Sequence, residues 1–164
     1  MPIWTDPEQC KSPMVRALHA WWMENRGPSG IADRKDLDPI ALKHLLPNMI
    51  ISEVEAEPFR IRYRLVGTKI VSITGFDFTG RYLDEIIASG SDTPWIEHYA
   101  AIRRNRTPLM GSVTEATTNG GTFTYEFGIF PLTVGGTEVQ QFASIEDYFG
   151  FQLTMAELEP WPRP

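Results

Sequence analysis

Phe59-Arg60-Ile61-Arg62-Tyr63-Arg64-Leu65-Val66-Gly67-Thr68 is the most regular stretch of the chain. Phe59, Ile61, Tyr63 and Leu65 alternate with Arg60, Arg62 and Arg64, and a strict period of two on an extended backbone sends the apolar set to one face and the arginines to the other. The segment reads as a half-buried strand. Its arginines are expected to form a solvated face paired with nearby glutamates rather than an anion site. Met49 to Val54 reads as the hairpin partner, joined across the turn at Glu57-Pro58. Gly67-Thr68 ends the strand, Ile70, Val71 and Ile73 mark a short helical piece, and Gly75 supplies a left-handed stop.

Upstream of the hairpin, Ser12-Pro13 sets an N-cap residue before a proline at the first helical position and predicts a helix to Asn25, where Gly27-Pro28 stops it. Met14, Leu18, Trp21 and Trp22 fall at i, i+4, i+7 and i+8, a wide apolar stripe that must be covered. Asp38-Pro39 predicts a second short helix carrying Leu42, Leu45 and Leu46 and ended by Pro47. Downstream, the turn Phe76 to Arg81 feeds a short helix from Tyr82 to Ile87, and Ala88 to Asp92 reads as a small-residue loop. Thr93-Pro94 opens a longer helix with Trp95, Tyr99 and Ile102 on one face. Arg103, Arg104 and Arg106 near its end complement the helix dipole. Three strands follow, Leu109 to Thr118, Thr122 to Pro131 and Glu138 to Glu146, linked at Asn119-Gly120-Gly121 and Gly135-Gly136. In the middle one Phe123, Tyr125, Phe127 and Ile129 share a face, opposite Thr122, Thr124, Glu126 and Gly128.

This order predicts an α+β fold, a five-stranded antiparallel sheet with helices on one face and an N-terminal helical extension. The expected boundaries are 1–47 for the two-helix extension, 48–147 for the core and 148–164 for a tail ending in Pro160-Trp161-Pro162-Arg163-Pro164. The strings Asp36-Leu37-Asp38-Pro39, Leu46-Pro47, Arg62-Tyr63-Arg64-Leu65-Val66-Gly67-Thr68 and Gly75-Phe76-Asp77-Phe78-Thr79-Gly80-Arg81 resemble a bacterial family of short, single-domain PAS proteins. The resemblance covers roughly residues 14 to 147, and its most specific part is the pairing of the last two strings. It implies a sensory or interaction domain whose sheet and central helices surround a small cavity, and it does not imply a particular ligand.

Composition narrows the function further. With 164 residues, 42% of them hydrophobic, the chain has the size of one compact domain with one core. A net charge of −6 leaves no basic surplus for a nucleic-acid backbone. The single cysteine, Cys10, cannot close an internal disulfide, and the start Met1-Pro2-Ile3-Trp4-Thr5-Asp6 lacks the pattern of a secretory signal, so a cytoplasmic location is expected. No run is long and apolar enough to predict a membrane span. The chain lacks the length for a kinase, cyclase or DNA-binding output beside the sensor, so any signal is expected to leave by contact with a protein partner.

Six residues are expected to line a ligand pocket: Tyr63, Trp95, His98, Tyr99, Tyr125 and Phe127. The same aromatics at strand or helix spacing also read as plain core. His98 occupies the helix from which haem-binding PAS domains take an iron ligand, but one histidine at a helix flank is more simply a packed side chain. Flavin photochemistry in light-sensing PAS relatives needs a cysteine in the short-helix region, and residues 76 to 94 contain none; Cys10 is read as an incidental exposed thiol. His19, His44 and His98 sit at no metal-ligand spacing and beside no nucleophile signature, so neither a metal site nor an enzyme is expected. The enzymatic alternative is a small cone-shaped isomerase fold using Asp92 or Glu126 as base, which the early hairpin disfavours. A ligand-free adaptor remains the other reading, with a homodimer expected through Met14, Leu18, Trp21 and Trp22. Ligand and cofactor identity stay open.

Overall fold

The computed structural model describes residues 1–87, 94–116 and 121–150. In chain order the elements are β1 (Ile3–Trp4), α1 (Pro13–Glu24), β2 (Ala32–Asp33), β3 (Met49–Glu55), β4 (Arg60–Val66), α2 (Thr68–Thr74), α3 (Leu83–Ile86), α4 (Trp95–Asn105), β5 (Leu109–Ala116), β6 (Thr122–Thr133) and β7 (Gln141–Asp147). The strands form one sheet in the order β1-β5-β6-β7-β3-β4, each antiparallel to its neighbour, and β2 adds a short parallel pairing to the end of β6. The α+β class is as expected. Seven strands stand where five were expected, because the two-residue β1 and β2 join the five longer ones.

The Asp38 to Leu46 segment is not the expected helix. Asp38 does cap, accepting from the Ile40 N–H at 2.8 Å, but the backbone then runs as successive turns into a 3-10 turn at Leu46–Asn48. A stretch this short gains few intrahelical bonds, and the chain bends instead so that Leu42 and Leu45 both reach the core.

The hairpin of β3 and β4 pairs Val54 with Ile61 and Ser52 with Tyr63, then slips so that Ile51 pairs with Leu65. Arg64 is the extra residue of this bulge. A one-residue slip reverses side-chain parity, so Leu65, expected in the core, is 42% exposed. Beyond it the chain turns at Gly67, where a Cβ would lie 2.3 Å from the Pro47 carbonyl oxygen. Only glycine permits that approach. The free edge of β4 is closed by the turn after α2: Gly80 N–H donates to the Tyr63 carbonyl at 2.7 Å, and Tyr63 N–H to the Arg81 carbonyl at 2.9 Å. The two strings that carry the PAS resemblance therefore bind each other.

Alternation along β6 separates the two faces of the sheet. Phe127 meets Trp95 of α4, with ring centroids 5.0 Å apart, whereas Phe130 meets His19 of α1 at 6.0 Å. Helices thus cover both faces, not one. On the α1 face Val15, Leu18 and Trp22 are buried, each contributing on the order of 2 kcal/mol, and the Trp22 indole N–H donates to the Pro131 carbonyl at 2.7 Å. Gly128 lets α1 settle, since a Cβ there would stand 2.7 Å from the Phe130 ring and 3.1 Å from Val15. The helix start is pinned by two buried carboxylates from paired positions of β6 and β7. Ser12 N–H donates to Glu126 at 2.7 Å, Ser12 Oγ donates to Asp147 at 2.7 Å, and the same Oγ accepts from the Val15 N–H at 3.1 Å. Glu126, on the face opposite the aromatic set of β6 as expected, is buried there for this reason.

Candidate functional site

The α4 face of the sheet carries an unusual share of hydroxyls. Register sets Phe127 of β6 beside Glu146 of β7 and Ile129 beside Ser144, with Tyr125 and Phe142 on the same face two residues further along their strands, and Ser52 of β3 between Phe142 and Tyr63 of β4. From above, α4 lowers Tyr99 and Ile102 onto them, both buried, with Trp95 half-buried at its start. Tyr99 packs edge-on against Phe142 at 4.9 Å, and its hydroxyl reaches Ser144 Oγ at 3.4 Å, the long end of hydrogen-bond range. Ser52 Oγ is enclosed and lies close enough to influence the Tyr99 hydroxyl, but it has no partner in hydrogen-bond geometry among the described residues. Tyr63 packs edge-on against Phe78 at 4.7 Å.

At the open end of β7 the rings of Phe123, Tyr125 and Tyr148 stack, with Tyr125 and Tyr148 at 5.0 Å. Tyr148 donates its hydroxyl proton to Glu146 Oε2. Burial pushes the Glu146 carboxyl up to about 7, opposed by that hydrogen bond. Tyr63, Tyr125 and Tyr148 are held well above the ordinary phenol value and Tyr99 is raised, in each case by burial first, with the negative charge of Glu146 adding to it. Glu146 nonetheless keeps some accessible surface, and its Oε1 has no hydrogen-bond partner among the described residues. The group as a whole is one carboxyl and several hydroxyls among aromatic rings, with no basic side chain among the described residues acting on it.

Of the six expected pocket residues, Tyr63, Tyr99, Tyr125 and Phe127 share this face and Trp95 packs on Phe127. His98 instead lies half-buried beside Trp95, at 6.1 Å, with Nε2 enclosed and lacking a hydrogen-bond partner among the described residues. Its pKa is lowered by burial. Sequence reasoning missed Ser52, Ser144, Glu146 and Tyr148. The first three share parity with recognised core positions, a signal that was present; Tyr148 was assigned to the tail but is 5% exposed. The expected arginine face holds, with Arg60 on Asp84 at 2.8 Å and Arg64 near Glu53 at 3.5 Å. Asp92 lies outside the described residues. Glu126 faces α1, across the sheet from this site. Among the expected dimer residues, Leu18 and Trp22 are buried within the chain, and Met14 and Trp21 are half-buried on the flank of α1. Among the described residues no cluster of three or more His, Cys, Asp or Glu could hold a metal ion, and no helix is long and apolar enough to cross a membrane.

A family profile described as a PAS domain matches residues 10–145. The chain belongs to the PAS domain family. The match takes in α1 as well as the sheet. No curated protein sequence matches this PAS domain. Among solved structures it is similar to a light-oxygen-voltage domain studied with a flavin analogue, at 16% identity over 71% of this chain and 84% of that one, with a TM-score of 0.50. It is also similar to the light-oxygen-voltage domain of a blue-light activated histidine kinase from Erythrobacter litoralis, at 17% identity over 63% of this chain and 96% of that one, TM-score 0.47. An RNA-binding light-oxygen-voltage receptor matches at 16% identity over 67% of this chain, TM-score 0.47; the chain spans 33% of that receptor. At such identities the likeness concerns the fold.

A flavin–cysteine adduct at this face would need a thiol on the α4 side of the sheet. The chain's one cysteine, Cys10, lies ahead of α1 on the side of Glu126, and at 2% exposure it is buried rather than the exposed thiol expected. The described residues do not fit that chemistry.

Proposed function

We propose that this PAS domain is a sensory module that holds a small ligand between α4 and the sheet and passes its state to a protein partner. The observation that carries the reading is Ser52 Oγ, enclosed without a hydrogen-bond partner among the described residues beside the long Tyr99–Ser144 contact. Buried hydroxyls are almost always hydrogen-bonded, and an orphan at a hydroxyl-lined aromatic face supports a bound polar group as its missing partner. Mass spectrometry of freshly purified protein tests this. A mass retained under native and lost under denaturing conditions is expected, and identical masses sink the reading.

A second reading is self-association without a ligand. Met14, Ala17 and Trp21 form a half-buried stripe at i, i+3 and i+7 that the chain's own sheet leaves partly uncovered. Paired through it, two copies would scatter light as about twice the 18.6 kDa chain mass. A mass that stays at the monomer value at all concentrations rules this out.

A further inference from the structure

We propose that the ligand of this site is a small organic cation, with an ammonium group seated between the Glu146 carboxylate and the rings of Tyr125, Tyr148 and their neighbours. The inference rests on the ligand-binding reading and adds the chemical class. Three observations carry it. The site holds a carboxyl group one oxygen of which is taken by Tyr148 while the other is unpartnered among the described residues and not sealed from solvent. On the same face Tyr63, Tyr99, Tyr125 and Tyr148 are all buried, with the rings of Tyr125 and Tyr148 stacked at 5.0 Å. Among the described residues no lysine, arginine or histidine offsets the carboxylate.

Both components select the same sign. Aromatic faces carry negative electrostatic potential and attract ammonium groups most strongly where water is excluded, the arrangement of aromatic cages. A carboxylate inside such a cage supplies the counter-charge and one acceptor oxygen for an N–H donor. The groups that face Glu146 from the packed elements are Tyr63 on β4, Tyr99 on α4, Tyr125 on β6 and Tyr148 after β7, while Glu115 on β5 acts on Tyr125 and Tyr148. None is cationic, and Glu115 adds a second acidic carboxyl to that of Glu146. At pH 8, where Glu146 is ionised, an anionic ligand would be repelled, and a neutral one would leave the buried charge uncompensated.

The test uses the full chain and three probe pairs: benzylammonium with benzyl alcohol, phenethylammonium with phenethyl alcohol, and tetramethylammonium with tert-butanol. Titration calorimetry at pH 8 should show at least one ammonium probe binding tenfold or more tighter than its neutral counterpart. Glu146→Gln should remove that preference and leave the alcohol unchanged. Between pH 6 and pH 8 the ammonium should bind more tightly on the unaltered protein, because Glu146 ionises in this range while the probe stays charged. Should Glu146→Gln lose its near-UV circular dichroism, the pH series alone decides. Equal binding of the members of each pair, affinity flat with pH, or no binding by any ammonium probe overturns the cation. A neutral or anionic mass retained in native spectra would overturn the cation while leaving the ligand-binding reading standing; no retained mass and no probe binding would remove both.

Discussion

Cys10 and Glu146 are both buried groups whose titration records their surroundings. Burial above all, with the nearby Glu126 charge, pushes the Cys10 thiol up to about 11. Thiolate is the reactive form, so Cys10 should resist iodoacetamide at pH 8 in the native protein and alkylate fully once unfolded; rapid native labelling, followed by mass, would contradict this. For Glu146 the folded carboxyl lies near 7, above the ordinary 4.5 of the unfolded chain. The stabilisation of its neutral form is complete below the unfolded value and is lost as pH rises through about 7. Glu146→Gln, which keeps an acceptor for Tyr148, should therefore raise stability at pH 8 by on the order of 1–3 kcal/mol and change little at pH 5. Urea denaturation at the two pH values reads this difference. The tyrosines of the site were legible because they sit at strand or helix spacing in aromatic company. Glu146 was not, since its charge argues for solvent and only its parity with Phe142 argues for the core. Tyr148 was hidden because it lies beyond the last regular strand residue, Asp147, where periodicity no longer applies.

Among the elements, α1 was the easiest to find and the hardest to place. Its Ser12-Pro13 start and apolar stripe define a helix, but an amphipathic period says only that one side is apolar. Which sheet face receives it depends on Gly128 and Phe130, which lie on the face of β6 opposite Tyr125 and Phe127. The Ser12 cap shows how much is invested in that docking. Ser12→Ala removes the cap to the Val15 N–H and strips Asp147 of its hydroxyl donor while both stay buried. The expected loss is about 2–3 kcal/mol, more than an exposed cap would give. A loss near zero would show that water or a neighbour replaces the hydroxyl. Gly67→Ala is the sharper case. Its Cβ would meet backbone oxygen at 2.3 Å and 2.6 Å, with no flexible side chain to yield, so the turn from β4 to α2 must shift and a loss of more than about 2 kcal/mol is expected. The Arg62 to Thr68 string was visible as a strand and a stop; the reason for its glycine, and for its company with the Phe76 to Arg81 turn, is three-dimensional.

At the scale of the whole molecule, the question is whether α1 is an appendage or part of one cooperative unit. The expected boundary at residue 47 divides helix from sheet, yet α1 supplies Val15, Leu18 and Trp22 to the core and packs on β6 and β7, where Phe130, Ala143 and Ile145 on its face are all buried. These three come from two central strands and are among the most enclosed side chains of the protein. Stripped of α1, the sheet would expose a contiguous apolar surface on its central strands, the kind that drives association rather than a stable smaller domain. Undocking α1 should therefore cost nearly as much as unfolding, and the helix should have no separate transition. Hydrogen exchange measures this directly. Amides in the middle of α1, from Leu18 to Trp22, should exchange as slowly as those of β6 from Phe127 to Phe130, both limited by global opening. Exchange in α1 faster by a hundredfold or more, about 2.7 kcal/mol of separate stability, would make it a detachable element and restore the boundary at 47. That outcome would also place any change in α1 within reach of a ligand on the other face, through β7, whose adjacent residues Glu146 and Asp147 hold the site on one side and the Ser12 cap on the other.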